Sequence, residues 1–156
     1  ESQFVNWWCN LIDVPCTTVT MDLRREDYMH HDRNFYERET HRLRFDAYKT
    51  MECPIVLGHN HDDCVENVIT NIASGKHKDN LKEMSIVSCV SDVTLYRPLL
   101  NVAKKDIVDY AKRTHVPFLQ DSTPSWSRRG KLRDILIPTM NKIEPSFIKK
   151  LLEHVL

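Results

Sequence analysis

One junction constrains this chain more than any other feature. Pro54-Ile55-Val56-Leu57 is a short apolar run, and it stops abruptly at Gly58-His59-Asn60-His61-Asp62-Asp63. Directly afterwards Val65, Val68, Ile69 and Ile72 recur at the i, i+3, i+4, i+7 spacing of a helix that buries one face. A strand passing through a polar turn into an amphipathic helix is the building unit of α/β sheets, and ligands bind at such turns, outside the carboxyl ends of the strands. Carboxylates there can hold a metal or a cationic substrate group. Equally, Asp62 can cap the helix while Asp63 complements its dipole.

The rest of the chain follows the same alternation. Phe4, Val5, Trp7, Trp8 and Leu11 predict a helix, and the Thr- and Val-rich stretch from Val14 to Met21 predicts a strand. Residues 22–34 are charged and irregular, as expected of a surface loop. A helix is predicted from Tyr36, with Tyr36, Thr40, Leu43, Ala47 and Met51 on its apolar stripe. A second strand region spans Ile86 to Tyr96. Asn101 is placed to cap a helix striped by Ala103, Ile107, Tyr110 and Ala111, which Pro117 ends. Gln120 to Gly130 reads as a loop. Two helical segments close the chain, Lys131 to Ile137 and one striped by Ile148, Leu151, Leu152 and Val155. The expectation is one α/β domain over residues 1–156 with a parallel sheet flanked by helices.

Composition narrows the chemistry. The formal net charge is zero over 156 residues, yet residues 1–96 carry 10 Lys and Arg against 16 Asp and Glu, and residues 97–156 carry 12 against 6. A polyanion is therefore expected to meet the C-terminal third, although solvated helix faces also explain such a bias. Cysteines at 9, 16, 53, 64 and 89 include no Cys-x-x-Cys pair, which argues against a zinc ribbon or an iron–sulfur site. With no signal peptide and no long apolar segment, a cytoplasmic protein without a membrane partner is expected. Only three glycines are present, Gly58, Gly75 and Gly130, too far apart for any Gly-rich phosphate loop.

Three segments read together carry a resemblance. They are Gly58-His59-Asn60-His61-Asp62-Asp63-Cys64-Val65-Glu66; Arg97-Pro98-Leu99-Leu100 with Lys104; and Asp121-Ser122-Thr123 leading to Arg129-Gly130-Lys131-Leu132-Arg133 and Ile137-Pro138. In this order and spacing the chain resembles the tRNA(Ile)-lysidine synthases of the PP-loop ATP pyrophosphatase superfamily. Arg44-Phe45 fits that family's pattern on the preceding helix. Glu1-Ser2, the first helix and Val14-Pro15 resemble the segment after its second strand. The implied fold is a partial PP-loop domain, Rossmann-like and of the adenine nucleotide alpha hydrolase type. The family's Ser-Gly-Gly-x-Asp-Ser loop would lie before Glu1, so the resemblance implies a domain missing its first strands and its ATP loop. In a family sheet ordered 3-2-1-4-5, that separates the Val14–Met21 strand from the two later ones and leaves edges without partners. Either further polypeptide, on the same or another chain, supplies them or the strands rearrange. Departures include Pro124 and Gly130, each where the family usually has Asn, and His41, where Arg is common.

The resemblance implies ATP and Mg2+ as cofactors, and tRNA and lysine as partners. ATP activates C2 of the wobble cytidine, and the lysine ε-amine then displaces AMP. Arg129 and Arg133 suit the charge developing on the α-phosphate. Asp63 and Glu66, at i and i+3, suit the lysine ammonium. His59 can donate to phosphate or carry a proton, Asp62 and Asp63 can serve magnesium, and Arg97, Lys104 and Lys105 are candidate substrate contacts. Two other readings use the same residues. His59, His61 and Asp63, followed by Cys64, imitate the metal-binding core of a metallo-hydrolase. Alternatively the chain is a PP-loop descendant without catalysis, acting as an RNA-binding or structural subunit.

Overall fold

The computed structural model describes residues 1–21, 33–81, 84–119, 123, 125 and 127–155. In chain order the elements are α1 (Ser2–Leu11), α2 (Arg33–Lys49), β1 (Ile55–Val56), α3 (His61–Ala73), a short turn of 3₁₀ helix (Lys78–Asn80), β2 (Val87–Val90), β3 (Val93–Tyr96) and α4 (Lys104–Arg113). They continue with α5 (Arg128–Lys131), a π-helical turn (Leu132–Leu136), α6 (Ile137–Ile143) and α7 (Phe147–Val155). The three strands form one sheet in the order β1-β3-β2. The chain divides into two compact units, Glu1–Ile55 with Cys89–Thr94, and Val56–Ser88 with Leu95–Leu156.

In the first unit α1 forms where Phe4, Trp7, Trp8 and Leu11 predict it, but it buries no residue. The stretch from Val14 to Met21 is exposed and forms no strand, correcting the expectation. Its Val and Thr content favours extended backbone, but a strand exists only where a neighbour supplies a ladder of N–H and C=O groups. On α2 the most buried side chain is Phe45, while Tyr36 and Met51, assigned to the apolar stripe, are 44% and 48% exposed. His41 stacks on Phe45 at 4.2 Å between ring centres.

The second unit holds the core around α3. Val65, Val68 and Ile69 are buried with Leu152 of α7, and Leu132, Ile137, Ile148 and Leu151 pack around them. The strand region from Ile86 to Tyr96 is a hairpin rather than one strand. Ser91 and Asp92 turn the chain with φ of 49° and 63°, the left-handed conformation that a two-residue hairpin turn requires. The sheet is therefore mixed rather than wholly parallel. Outside the strands proper, Arg97 N donates to Ile86 O at 2.8 Å and Leu57 N to Tyr96 O at 2.8 Å. The latter bond sits at the end of β1, where the polar turn begins.

Residues 128–143 are helical throughout, so the predicted loop ends at Ser127, whose hydroxyl caps α5 by accepting from Gly130 N at 3.0 Å. Leu132 and Ile137, at the start of the π turn and just past its end, both face the core. Asp121, Ser122 and Pro124, like the expected loop at residues 22–32, lie outside the described residues.

Candidate functional site

The site grows from the first turn of α3. Asn60 is its N-cap: the side-chain oxygen accepts from Asp62 N at 2.9 Å and Asp63 N at 3.3 Å, and Asp63 Oδ2 accepts in return from Asn60 N at 2.9 Å. This reciprocal capping box gives Asn60 the role that the sequence offered to Asp62. Asp62 instead reaches across to α4, where its Oδ2 accepts from Lys104 N at 2.7 Å. It supplies the cap that Ala103, the residue at the N-cap position, cannot. Asn101, expected to cap α4, precedes that position. His61 N donates to Val102 O at 3.0 Å, so α3 and α4 start from one hydrogen-bonded junction.

One turn into α3, Glu66 is only 4% exposed. A buried carboxylate needs cationic or hydrogen-bonding partners, and Glu66 takes them from the chain more than sixty residues later. Arg133 donates to Glu66 Oε1 from Nε at 2.9 Å and from Nη2 at 2.6 Å. Arg129 donates from Nε to Glu66 Oε2 and from Nη2 to Asp63 Oδ1. The result is two carboxylates and two guanidiniums in one network, with the Arg129 side chain half exposed and that of Arg133 26% exposed. Burial pushes the Glu66 carboxyl above the usual carboxylate range, against the opposing bonds and charge of Arg133 and the charge of Lys104. Burial, with the neighbouring charge of Arg133, lowers the Arg129 guanidinium.

Beside this network a cavity of about 810 Å³ opens between α3, α4, α6 and α7. Its wall combines Asp62, Glu66, Lys104 and Arg133 with apolar Val65 and Ile148. It can take a ligand that carries charge at its ends and an aliphatic middle. A smaller, largely apolar cavity of about 460 Å³ touches His61 and Cys64 and none of the four network residues.

The sequence-predicted residues divide accordingly. Asp63, Glu66, Arg129 and Arg133 come together, and Lys104 lines the cavity with Glu66 and Arg133. His59 is half-buried two residues ahead of α3. Lys105 is elsewhere, its Nζ 2.6 Å from Asp109 Oδ2 on an exposed face of α4. Arg97 is also apart: it is 6% exposed, and its Nη1 donates to Ser85 O at 2.9 Å and Ser88 Oγ at 2.8 Å. Arg129 and Arg133 were expected to face phosphate, and here they face the carboxylates of Asp63 and Glu66. Of the oxygens offered to magnesium, both of Asp63 are engaged within the protein, by Arg129 and by Asn60 N, and Oδ2 of Asp62 is engaged by Lys104 N. Among the described residues no group of three or more His, Cys, Asp or Glu is placed to hold a metal. Of the missed features, Asn60 as cap had a sequence signal in the Asn-x-x-Asp spacing, whereas Asp62 as the cap of α4 is a contact across 42 residues with no local signal. The pairing of Glu66 with Arg133 had none, because it is set by tertiary packing.

An α/β chain whose charged residues gather at a strand-to-helix turn has many relatives by architecture alone; sequence is more specific. The profile of the PP-loop domain matches residues 1–140, and the chain belongs to that family. It is 30% identical over 140 residues to a tRNA(Ile)-lysidine synthase of Chlamydia trachomatis, an alignment covering 85% of this chain and 40% of the relative. The tRNA(Ile)-lysidine synthase of Staphylococcus aureus is 26% identical, covering 97% of this chain and 37% of its own length. The chain spans between 28% and 40% of the lengths of these and similar relatives. Among solved structures, the U34-tRNA thiolase NcsA from Methanococcus maripaludis, with its [4Fe-4S] cluster, superposes with a TM-score of 0.70 at 15% identity. That superposition covers 98% of this chain and 54% of the thiolase, and it shows a shared fold. Among the described residues no helix is long and apolar enough to cross a membrane.

Proposed function

We propose that this chain is part of a tRNA-modifying ligase of the tRNA(Ile)-lysidine synthase type, in which ATP activates the wobble cytidine and lysine is joined to its C2. The observation that carries this reading is the pair of carboxylates, Asp63 and Glu66, sharing one face of α3 beside a cavity that also presents Lys104 and Arg133. The relatives supply the reaction class. None of the 156 residues forms a Gly-rich phosphate cradle, so the grip on the ATP pyrophosphate is assigned to polypeptide beyond them.

In this reading Asp63 and Glu66 hold the ammonium of the incoming lysine, and its aliphatic chain lies along Val65 and Ile148. Arg129 and Arg133 turn toward phosphate, which a planar guanidinium binds through two parallel bonds. The carboxylates thus exchange one cation for another, and the buried site is never left with an uncompensated charge. His59 is the residue assigned to proton transfer. Magnesium enters this reading with ATP, and no step is assigned to it through Asp62 or Asp63.

The test is lysine saturation of tRNA-dependent ligation by the whole enzyme carrying this chain. Asp63→Asn and Glu66→Gln each keep shape and remove a charge partner worth about 1.5–3 kcal/mol, so apparent lysine affinity should fall about tenfold or more. Unchanged lysine affinity in both variants refutes the assignment.

A further inference from the structure

Five cysteines are present, and two of them flank one reversal of the chain. Cys9 lies in the last turns of α1, and Cys16 follows in the exposed extended stretch. The chain reverses between them. Asp13 takes φ of 55°, Val14 N donates to Cys9 O at 2.9 Å, and Asn6 Nδ2 donates to Thr18 Oγ1 at 3.0 Å. These bonds clamp residues 14–18 alongside α1 from both sides of Cys16, and Cys16 is the neighbouring group that acts on the Cys9 thiol. A turn that brings the two cysteines alongside one another shortens the backbone movement needed to reach disulfide geometry.

We propose that Cys9 and Cys16 form a reversible dithiol–disulfide site, oxidised by a low-molecular-weight disulfide and reopened by excess thiol. Cys16 is exposed and meets the reagent, whereas Cys9 is half-buried. Burial and the hydrogen bond to Cys16 push the Cys9 thiol up, so Cys9 keeps its proton at the start. The Cys16 thiolate attacks one sulfur of the reagent R–S–S–R, breaking its S–S bond, forming a mixed disulfide and releasing one RS⁻. Cys9 then gives its proton to solvent, and its thiolate attacks the Cys16 sulfur and expels the second RS⁻. The two cysteines together lose two electrons and two protons, and the reagent gains them as two RSH. The new bond closes the turn around Asp13 and fixes to α1 a stretch that forms no strand.

The experiment uses the full chain and oxidised glutathione. After incubation, the protein is alkylated, cleaved before Asp13, which lies between the two cysteines, and analysed by mass spectrometry. The expected result is loss of two of the five alkylatable thiols, with the Cys9 and Cys16 peptides joined through sulfur and separated again by dithiothreitol. Cys16→Ser should abolish the joined peptide. A triple variant, Cys53→Ser, Cys64→Ser and Cys89→Ser, should retain it. Since Cys16 is exposed, its substitution leaves the fold intact, which circular dichroism checks. The proposal is overturned if Cys9 and Cys16 remain alkylatable, or if Cys16 accumulates only as the glutathione mixed disulfide while Cys9 stays reduced.

Discussion

Replacing Asp62 separates two roles that a carboxylate at this turn can have. In the structure its Oδ2 accepts from Lys104 N at 2.7 Å and so caps α4 from outside that helix. Loss of an N-cap acceptor costs about 1 kcal/mol, and loss of a negative charge at a helix N-terminus costs about 0.5 kcal/mol more. Asp62→Ala removes both, about 1.5 kcal/mol. Asp62→Asn keeps an oxygen that can accept the same bond and forfeits only the charge term. The direct assay is amide hydrogen exchange at Lys104, because that N–H is the donor. Protection should drop about tenfold in the Ala variant and about twofold in the Asn variant. Thermal or urea unfolding would average over two compact units, whereas exchange reads the bond itself. Equal losses in both variants, or no loss in either, would refute the capping argument. A metal-ligand role predicts a different pattern: Asn would fail as fully as Ala in ligation, with no change in Lys104 exchange.

Two further outcomes test the core and the buried charge. Leu152→Ala truncates a 6% exposed side chain that packs on Val65, Val68 and Ile69; it should destabilise by about 2–4 kcal/mol, lowering the urea midpoint by roughly 1 M or more, and an unchanged midpoint would show that α7 does not close this core. Glu66 sets a pH dependence. Burial holds its carboxyl above the ordinary range, so the folded protein binds this proton more tightly than the unfolded chain. The contribution is therefore fully present below the ordinary carboxylate range and is lost as pH rises through the raised value. Relative to Glu66→Gln, wild-type stability should decline as pH rises above about 4, the ordinary glutamate value. A relative stability that instead grows with pH would mean that the arginines, and not burial, govern Glu66.

Local patterns in the sequence carried the elements whose partners lie nearby. Val65, Val68 and Ile69 marked the buried face of α3, and Ile148, Leu151 and Leu152 marked α7, because helical periodicity records which side faces a core. Ile72 belongs to the same stripe and is 45% exposed. The Val14–Met21 stretch has the composition of a strand, but pairing is a property of two segments, and composition reports on one. The hairpin had a readable signal, Ser91-Asp92 between Val90 and Val93, which a single apolar strand obscured. At the site, the cluster around Asp63 and Glu66 was visible in the sequence. Which charges pair was not, since Glu66 and Arg133 are joined by packing between α3 and the later helices. Arg97 illustrates the same limit: it sits in the Arg-Pro-Leu-Leu motif, and its guanidinium is taken up by Ser85 and Ser88.

The π turn at Leu132–Leu136 acts as a phase shifter within the rod from Arg128 to Ile143. In a regular α-helix, residues five apart point well away from each other; in a π turn, bonds running from i to i+5 bring them toward the same side. Leu132 and Ile137 are five apart and both meet the core, while Arg133, next to Leu132, still reaches Glu66. Wound as a regular α-helix at about 100° per residue, the same five steps would set Ile137 about 140° away from Leu132. Either Ile137 and α6 would leave the core, or the arginines would swing off the carboxylates. Loss of one residue within the turn is therefore the change of length this rod absorbs, since four regular steps, about 40° past a full turn, return the downstream helix to the side it already faces.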